Sequence, residues 1–397
     1  MMRIDCHEGT CFKFVTSEAV CVSSEEYITA SLGEESSEML HAVIMAGGVG
    51  TRFWPQSRRH LPKQFLRMTG EQTLIQQAAF RCQPAIPVDR TWVVTGSAHA
   101  VETSRQLPDI PTDQILVEPC GRNTAPCIGL AAIKLLAIDP DATMLLMPAD
   151  QVIQPTEKFQ LAVTQAQKMI DSEPTVLVLF GIEPNYPATG FGYIQRGEQL
   201  DTGSCPMFRV KSFQEKPNLL TASRYMAAGE YYWNCGIFVW RAQTILDALQ
   251  KLSPEIHTRL MRLKDALNTD AWQNTLETEF PQMPSISIDY AVLEKAADQV
   301  CVLEAPFEWD DVGSWHALPR LLSADSEGNT LDGLCCAVET EGCIVRSTDK
   351  HLIATIGLKD LIIVHTSTAT LVADKRDESA LKKLIAELEK RSLSDYL

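Results

Sequence analysis

Residues Ala42–Phe65 read AVIMAGGVGTRFWPQSRRHLPKQF, an apolar strand that runs into a glycine-rich loop and then into a cluster of cations. Gly47, Gly48 and Gly50 lack Cβ atoms, so the backbone there can take positive φ angles and turn its N–H groups toward an anion. Between His41 and Gly70 stand Arg52, Arg58, Arg59, Lys63 and Arg67 with no Asp or Glu, in a chain whose formal net charge is −16. Binding a polyphosphate is the simplest reason for such an island. Neither standard phosphate loop fits. No G-K-[ST] closes the loop, and GGVGTRF lacks the G-x-G-x-x-G spacing of dinucleotide-binding folds. What remains is G-G-x-G-T-R followed by Pro62-Lys63, a longer and more specific pattern than a lone glycine turn.

The segments beyond this loop alternate in type. AVIMA, TWVVT, ILVEP, TMLLMP and TVLVLFGI read as buried strands, and TLIQQAAFRC, TAPCIGLAAIKLLAI and KFQLAVTQAQKMI read as the helices between them. The pattern is α/β, with a mainly parallel sheet covered on both faces and ligands bound beyond the carboxyl ends of its strands. At 397 residues, two domains are expected. No apolar run approaches the roughly 20 residues of a membrane helix, and the acidic balance argues against nucleic acid as a partner. The 12 cysteines are scattered without a C-x-x-C pair, which speaks against thiol-bound metal. With no secretory signal visible, the cytoplasm is the expected compartment.

Four further stretches carry polar groups at places where chemistry is done. Asp150 ends TMLLMPAD on the same side of the sheet as the glycine loop, so it either caps a turn or faces the same cleft. EPCGRNTAP spans Glu118–Pro126 on another strand-to-helix loop, where Asn123 and Thr124 suit helix capping and Arg122 either reads a base edge or lies on the surface. In FQEKP, neighbours on a strand point to opposite faces, so Glu215 and Lys216 are expected not to pair with each other. FEWDDVGSW supplies Asp310 and Asp311, either of which can form the turn before Gly313. From about Gly328 short strands follow one another, suggesting a small β-solenoid or sandwich. A last helix presents Leu381, Leu384, Ile385 and Leu388 on one face and should cap something.

AGGVGTRFWPQSRRHLPKQF resembles the signature of the sugar-nucleotide pyrophosphorylases, in detail their bacterial GDP-mannose-forming branch. The resemblance runs from about His41 to the C-terminus through EPCGRNTAP, LLMPAD, FQEKP, WNCGIFVW and FEWDDVGSW, in the family's order. It implies a Rossmann-like nucleotidyltransferase domain of the glycosyltransferase-A-like kind over residues 41–325. A short left-handed β-helix-like domain with a terminal helix would occupy 326–397, and residues 1–40 would be an extension of unknown role. The implied reaction joins GTP to α-D-mannose 1-phosphate with Mg²⁺, in a homo-oligomer, specifically a dimer.

The resemblance also implies site residues. Ala46, Gly47, Gly48, Gly50, Thr51, Arg52, Lys63, Glu118, Arg122, Asn123, Thr124 and Ala125 would bind the nucleotide, and Gly192, Glu215, Lys216 and Asn234 the sugar phosphate. Asp150 and Asp311 would hold the metal, and with Arg52 and Lys63 would be the catalytic set. Two positions depart from the family pattern: Gln151 stands where a His often follows the Asp, and Phe191 where Tyr is usual. Many relatives continue into a phosphomannose isomerase domain, so this chain is expected to have a single activity. Two other readings stay open, a sister enzyme with another base or sugar and an inactive nucleotide-sensing subunit. The second predicts decay at the acids, yet Asp150, Asp311, Arg52, Lys63 and Lys216 are all present.

Overall fold

The computed structural model describes residues 40–48, 50–200, 203–377 and 380–397, and the statements that follow concern those. The strand VTSEAVCV and the helix EEYITASL expected near the N-terminus lie outside them. A nine-stranded sheet forms the centre of the described molecule. Its strands are β1 (Leu40–Ala46), β2 (Thr91–Gly96), β3 (Ile115–Glu118), β4 (Thr143–Pro148), β6 (Leu177–Ile182), β7 (Tyr193–Leu200), β8 (Met207–Gln214), β9 (Tyr231–Arg241) and β10 (Val300–Glu304). They lie in the order β3-β2-β1-β4-β9-β6-β10-β8-β7. The pairs β1–β2, β1–β4, β2–β3 and β6–β10 are parallel.

The aliphatic strands are buried on both faces because helices cover both. Thr124–Leu136, Ala242–Leu252 and Pro254–Ala266 pack on one side, and Leu74–Phe80 and Thr156–Ser172 on the other. Burying each Leu, Ile or Phe side chain in these layers contributes ~1.5–3 kcal/mol, and Trp240, Phe159 and Phe180 are wholly enclosed. One placement differs from expectation. From sequence YYWNCGIFVW reads as a long strand packed with aromatics in a sugar-side subdomain; it is that long strand, but β9 runs antiparallel between β4 and β6 in the middle of the sheet. Its large apolar side chains need cover on two faces, and only a central strand has it.

A short antiparallel pair, β5 (Val152–Gln154) with β11 (Glu308–Asp310), stands at the end of the sheet. The C-terminal strands β12 (Thr330–Asp332), β14 (Ile344–Ser347) and β16 (Leu361–His365) stack in parallel, as do β13 (Cys335–Val338) and β15 (Ile353–Ile356). Strand β17 (Thr370–Asp374) closes the stack antiparallel to β16. Successive short strands in parallel rungs make a solenoid rather than a sandwich. The helix Ala380–Lys390 sets Leu381, Leu384, Ile385 and Leu388 against a core that joins Ile344, Ile362 and Val364 of the solenoid to Phe53, Trp54 and Leu66 beside the glycine loop. What the helix caps is therefore the first turn after that loop.

Candidate active site

The glycine loop leaves the carboxyl end of β1 and opens a cleft of about 280 Å³ lined by Gly47, Gly48, Gly50, Thr51, Arg52, Lys63, Asp150 and Gly313. Gly50 has φ +55, and a Cβ there would lie 2.5 Å from the Lys63 backbone nitrogen. Glycine is thus required both for the left-handed turn and for the close approach of the lysine segment. Thr51–Phe53 then form a single 3₁₀ turn that holds Arg52 exposed at the mouth.

The cationic island is not devoted to one anion. Arg58 is buried, donates to Thr368 Oγ1 at 3.0 Å and lies over the Trp54 ring. Arg59 pairs with Glu389 of the terminal helix at 2.5 Å. The exposed Arg67 reaches toward Glu71 at 4.0 Å. Among the described residues only Arg52 and Lys63 of the five face the cleft. The expectation that the whole island serves a polyphosphate is corrected accordingly: Arg58 and Arg59 fasten the C-terminal module.

Strand β11 pairs with β5, setting Asp310 opposite Val152, so Asp311, just past β11, and Asp150, two residues before Val152, lie toward the same end of the ladder. Lys63 Nζ lies 2.8 Å from Asp150 Oδ2 and 2.5 Å from the Asp311 carbonyl oxygen. The two neighbouring acids part company here. Asp310 receives Arg320 through Nε at 2.6 Å and Nη2 at 3.1 Å, and its Oδ1 also accepts the Val312 N–H at 2.7 Å, so it is the turn former. Asp311 carries no ion pair among the described residues. Burial pushes its carboxyl above the ordinary range, with nearby Lys63 pulling the other way.

A second cleft, about 200 Å³, is lined by Gln151, Gly192, Glu215, Asn234, Asp289, Trp309 and Asp311, among others, and the Asp311 carbonyl accepts from Lys63 of the first cleft. Glu215 is buried and Lys216 exposed, and Lys216 Nζ sits 2.8 Å from Glu215 Oε1. The expectation that they do not pair is overturned. Strand β8 ends at Gln214 and Lys216 has φ +44, so the alternation of strand faces no longer applies at these positions. Burial raises the Glu215 carboxyl and Asp289 raises it further, against the pull of Lys216. Burial alone would lower the Lys216 ammonium, but its bond to Glu215 turns the net shift upward.

Asn234 Nδ2 donates to Asp289 Oδ1 at 2.8 Å. A Cβ on Gly192 would lie 2.5 Å from Glu215 Oε2, so that glycine makes room for the carboxylate. Phe191 packs edge-on against Trp233 and Trp309, each 5.2 Å away, so a phenyl ring suffices for the packing there. Asp289 was missed from sequence. It sits in the four-residue helix Ile288–Ala291 capped by Ser287, and burial raises its carboxyl. A lone acid behind serine in an otherwise apolar stretch was the available signal.

The EPCGRNTAP loop leaves β3 toward the helix Thr124–Leu136. Asn123 is its N-cap at φ +65 and ψ −173, with Oδ1 accepting from Thr124 N, a backbone region that non-glycine residues occupy only under strain. Thr124 Oγ1 accepts from Ile288 N at 2.8 Å, and Ala125 N donates to the Ile286 carbonyl at 3.1 Å, tying this loop to the Asp289 segment. Glu118 is 8% exposed, its Oε1 has no partner, and burial pushes its carboxyl up to about 7. Arg122 is partly buried, with Nε unpaired.

A glycine loop at the end of a parallel strand, with Asp150 on its cleft and Asp311 on the neighbouring one, is the arrangement of a nucleotidyl transferase. The nucleotidyl transferase family model matches residues 41–327, and the MannoseP isomerase/GMP-like beta-helix domain model matches 333–388. A mannose-1-phosphate guanylyltransferase of Klebsiella pneumoniae is 38% identical over 362 residues, covering 90% of this chain and 76% of that one. One of Escherichia coli matches at the same identity and coverage. The crystal structure described as a mannose-1-phosphate geranyltransferase of Thermus thermophilus superposes with TM-score 0.78 at 32% identity, covering 88% of this chain and 99% of that one. The chain belongs to the mannose-1-phosphate guanylyltransferase family.

Proposed function

We propose that this protein makes GDP-mannose and pyrophosphate from GTP and α-D-mannose 1-phosphate. The observation that carries the reading is Lys63, which lines the glycine-loop cleft with Asp150 and reaches the carbonyl of Asp311 on the second cleft: an anion held by the glycine loop would meet a phosphorylated ligand seated beside Glu215, Lys216 and Asn234. A phosphate monoester already bears an attacking oxyanion near neutral pH, since its second pKa is about 6, so no general base is required. That oxygen attacks the α-phosphorus in line, a P–O bond forms, the bond between the α-phosphorus and its bridging oxygen breaks, and pyrophosphate leaves. The protein's task is to hold two anions together.

Arg52 and the N–H groups of Gly47, Gly48 and Gly50 hold the triphosphate, with Lys63 at the inner end. Lys216 holds the sugar phosphate, while Glu215 and Asp289 accept from ring hydroxyls. Glu118, as carboxylate, accepts from the N–H donors of guanine, and Arg122 of the same loop serves the nucleotide. Asp150 and Asp311 offer the oxygen donors that suit Mg²⁺, and an ammonium already lies against Asp150 and the Asp311 carbonyl. Mg²⁺ bound there would supply charge neutralisation at the α-phosphate.

The same proposal divides the chain into an extension over 1–40, a catalytic domain over 41–325 and a solenoid module over 326–397. Among the described residues no helix is long and apolar enough to cross a membrane, and all described cysteines are free, which suits a reducing cytoplasm. Exposed Leu334, Val338, Leu352 and Ile356, on or beside the paired strands β13 and β15, offer an apolar face for a second copy, making the assembly a homodimer, and light scattering in solution tests this. Pyrophosphate release measured with each nucleoside triphosphate against a panel of sugar 1-phosphates tests the activity: the GTP and mannose 1-phosphate pair should exceed all others.

A further inference from the structure

Among the residues that line the sugar-side cleft, Gln151 has no part in the steps above. Gln151 is 7% exposed, and its orientation is set twice. Its backbone carbonyl accepts from Nη2 of the buried Arg81 at 3.0 Å, and its side-chain Nε2 donates to the Cys235 carbonyl at 2.7 Å. A carbonyl oxygen accepts only, so the nitrogen of the amide must face Cys235 and the oxygen must face away from it. Gln151 Oε1 is then buried and has no partner. Native proteins leave few such atoms unsatisfied, and those they leave call for an explanation.

The surroundings say what kind of partner fits. Gln151 lines the cleft together with Pro148, Asn234, Gly236 and Trp309. The carboxylates of Glu215, Asp289 and Asp311 on the same cleft are acceptors, so a ligand seated here must bring donors. The Asn234 amide nitrogen is already bonded to Asp289 and does not turn toward Gln151. Trp309 Nε1, a donor, is also buried without an acceptor. A hydroxyl both donates and accepts, and a sugar ring carries several in a rigid frame.

We propose that Gln151 is a specificity-determining residue: its Oε1 accepts a hydrogen bond from one particular hydroxyl of the sugar phosphate. The inference rests on reading this cleft as the sugar-phosphate site. A site that accepts from a substrate hydroxyl penalises the analogue lacking it, because the buried acceptor is left unpaired. The Cys235 carbonyl holds the amide nitrogen, and Arg81 the backbone carbonyl of the same residue, before substrate arrives, so little ordering is lost on binding.

The test is a cycle of kcat/KM values for wild type and Gln151→Met with α-D-mannose 1-phosphate and its 2-, 3-, 4- and 6-deoxy analogues. A neutral hydrogen bond predicts that Gln151→Met loses about 3- to 10-fold on the parent sugar. For one deoxy analogue wild type and variant should be equally efficient, and for the others the loss should persist. Gln151→Glu keeps the acceptor and gives up the bond to Cys235, so it should retain the wild-type ranking of the analogues at lower overall rate. An equal loss on every analogue in Gln151→Met, or a flattened ranking in Gln151→Glu, would overturn the inference while leaving the functional reading intact. Wild type that turns over none of these sugars would overturn the functional reading itself.

Discussion

Lys63 Nζ lies 2.8 Å from Asp150 Oδ2, and the same ammonium reaches the Asp311 carbonyl oxygen at 2.5 Å. One cation thereby joins the end of β4 to the turn after β11, segments that lie far apart in the chain. Everything proposed about chemistry in this molecule meets at that contact.

The acids on either side of it should be indispensable to turnover but not to nucleotide binding. Asp150→Asn and Asp311→Asn should each abolish product formation while GTP still binds measurably by calorimetry, because the glycine loop and Arg52 remain. Asp310→Asn is the control. Its carboxylate is held by Arg320, so it should lower thermal stability more than it lowers kcat. Full activity in Asp150→Asn or Asp311→Asn would remove the metal assignment.

Lys63 and Lys216 are assigned to different substrates, and their losses should separate. Lys63→Ala should weaken use of GTP chiefly, and Lys216→Ala should raise KM for the sugar phosphate chiefly. Losing a charge-assisted hydrogen bond costs about 1.5–3 kcal/mol, which corresponds to roughly 10- to 150-fold in kcat/KM for the affected substrate. Some coupling is expected because both anions meet at Asp150 and Asp311. Steady-state kinetics with each substrate varied in turn resolve the two effects, and a Lys216→Ala variant impaired only toward GTP would contradict the two-cleft arrangement.

Glu118 supplies a pH dependence whose sign can be worked out. Burial raises its carboxyl from 4.5 to about 7 in the folded state. The folded protein therefore binds more proton than the unfolded one between those values, and stability should fall as pH rises from 4.5 to 7 and level off above. The contribution is roughly 3 kcal/mol. Glu118→Gln should flatten that slope in denaturant titrations. Across the same range kcat/KM for GTP should rise with pH as the carboxylate forms, and the substitution should remove that rise. A variant with the wild-type pH profile in both measurements would show that Glu118 neither titrates there nor reads the base.

The parallel half of the sheet was legible because AVIMA, TWVVT, ILVEP and TMLLMP are short, largely apolar runs rich in β-branched and aliphatic residues, separated by helical patterns, as strands covered on both faces require. The glycine loop and Asp150 followed from it, since both leave strands at their carboxyl ends. Other features were set by partners distant in sequence. Nothing in RR at 58–59 announces that Thr368 and Glu389 are their partners. Pairing of Glu215 with Lys216 depends on a positive φ at a lysine, which strand periodicity does not foresee. Asp289 entered the cleft through tertiary contacts of Thr124 and Asn234, invisible in a short helical stretch. The central place of β9 likewise depends on which strands it pairs with, and that is decided by packing.

Gly50 offers a test of the loop itself. A Cβ at φ +55 is strained, and it would also press on Lys63, so Gly50→Ala should cost about 1–3 kcal/mol in stability and raise KM for GTP by displacing the lysine segment. At Gly47 a Cβ would meet nothing within 4 Å, so Gly47→Ala should be far milder in a thermal melt. Equal effects at the two positions would mean that the Gly50–Lys63 approach does not shape the loop.

The most direct measurement follows phosphorus resonances while the purified protein is mixed with GTP, α-D-mannose 1-phosphate and Mg²⁺. The account predicts GDP-mannose and pyrophosphate in equal amounts, formation that stops on chelation of the metal, and no product from Asp311→Asn. Cleavage of GTP without consumption of the sugar phosphate, or turnover unaffected by chelation and by loss of the Asp311 carboxylate, would contradict it.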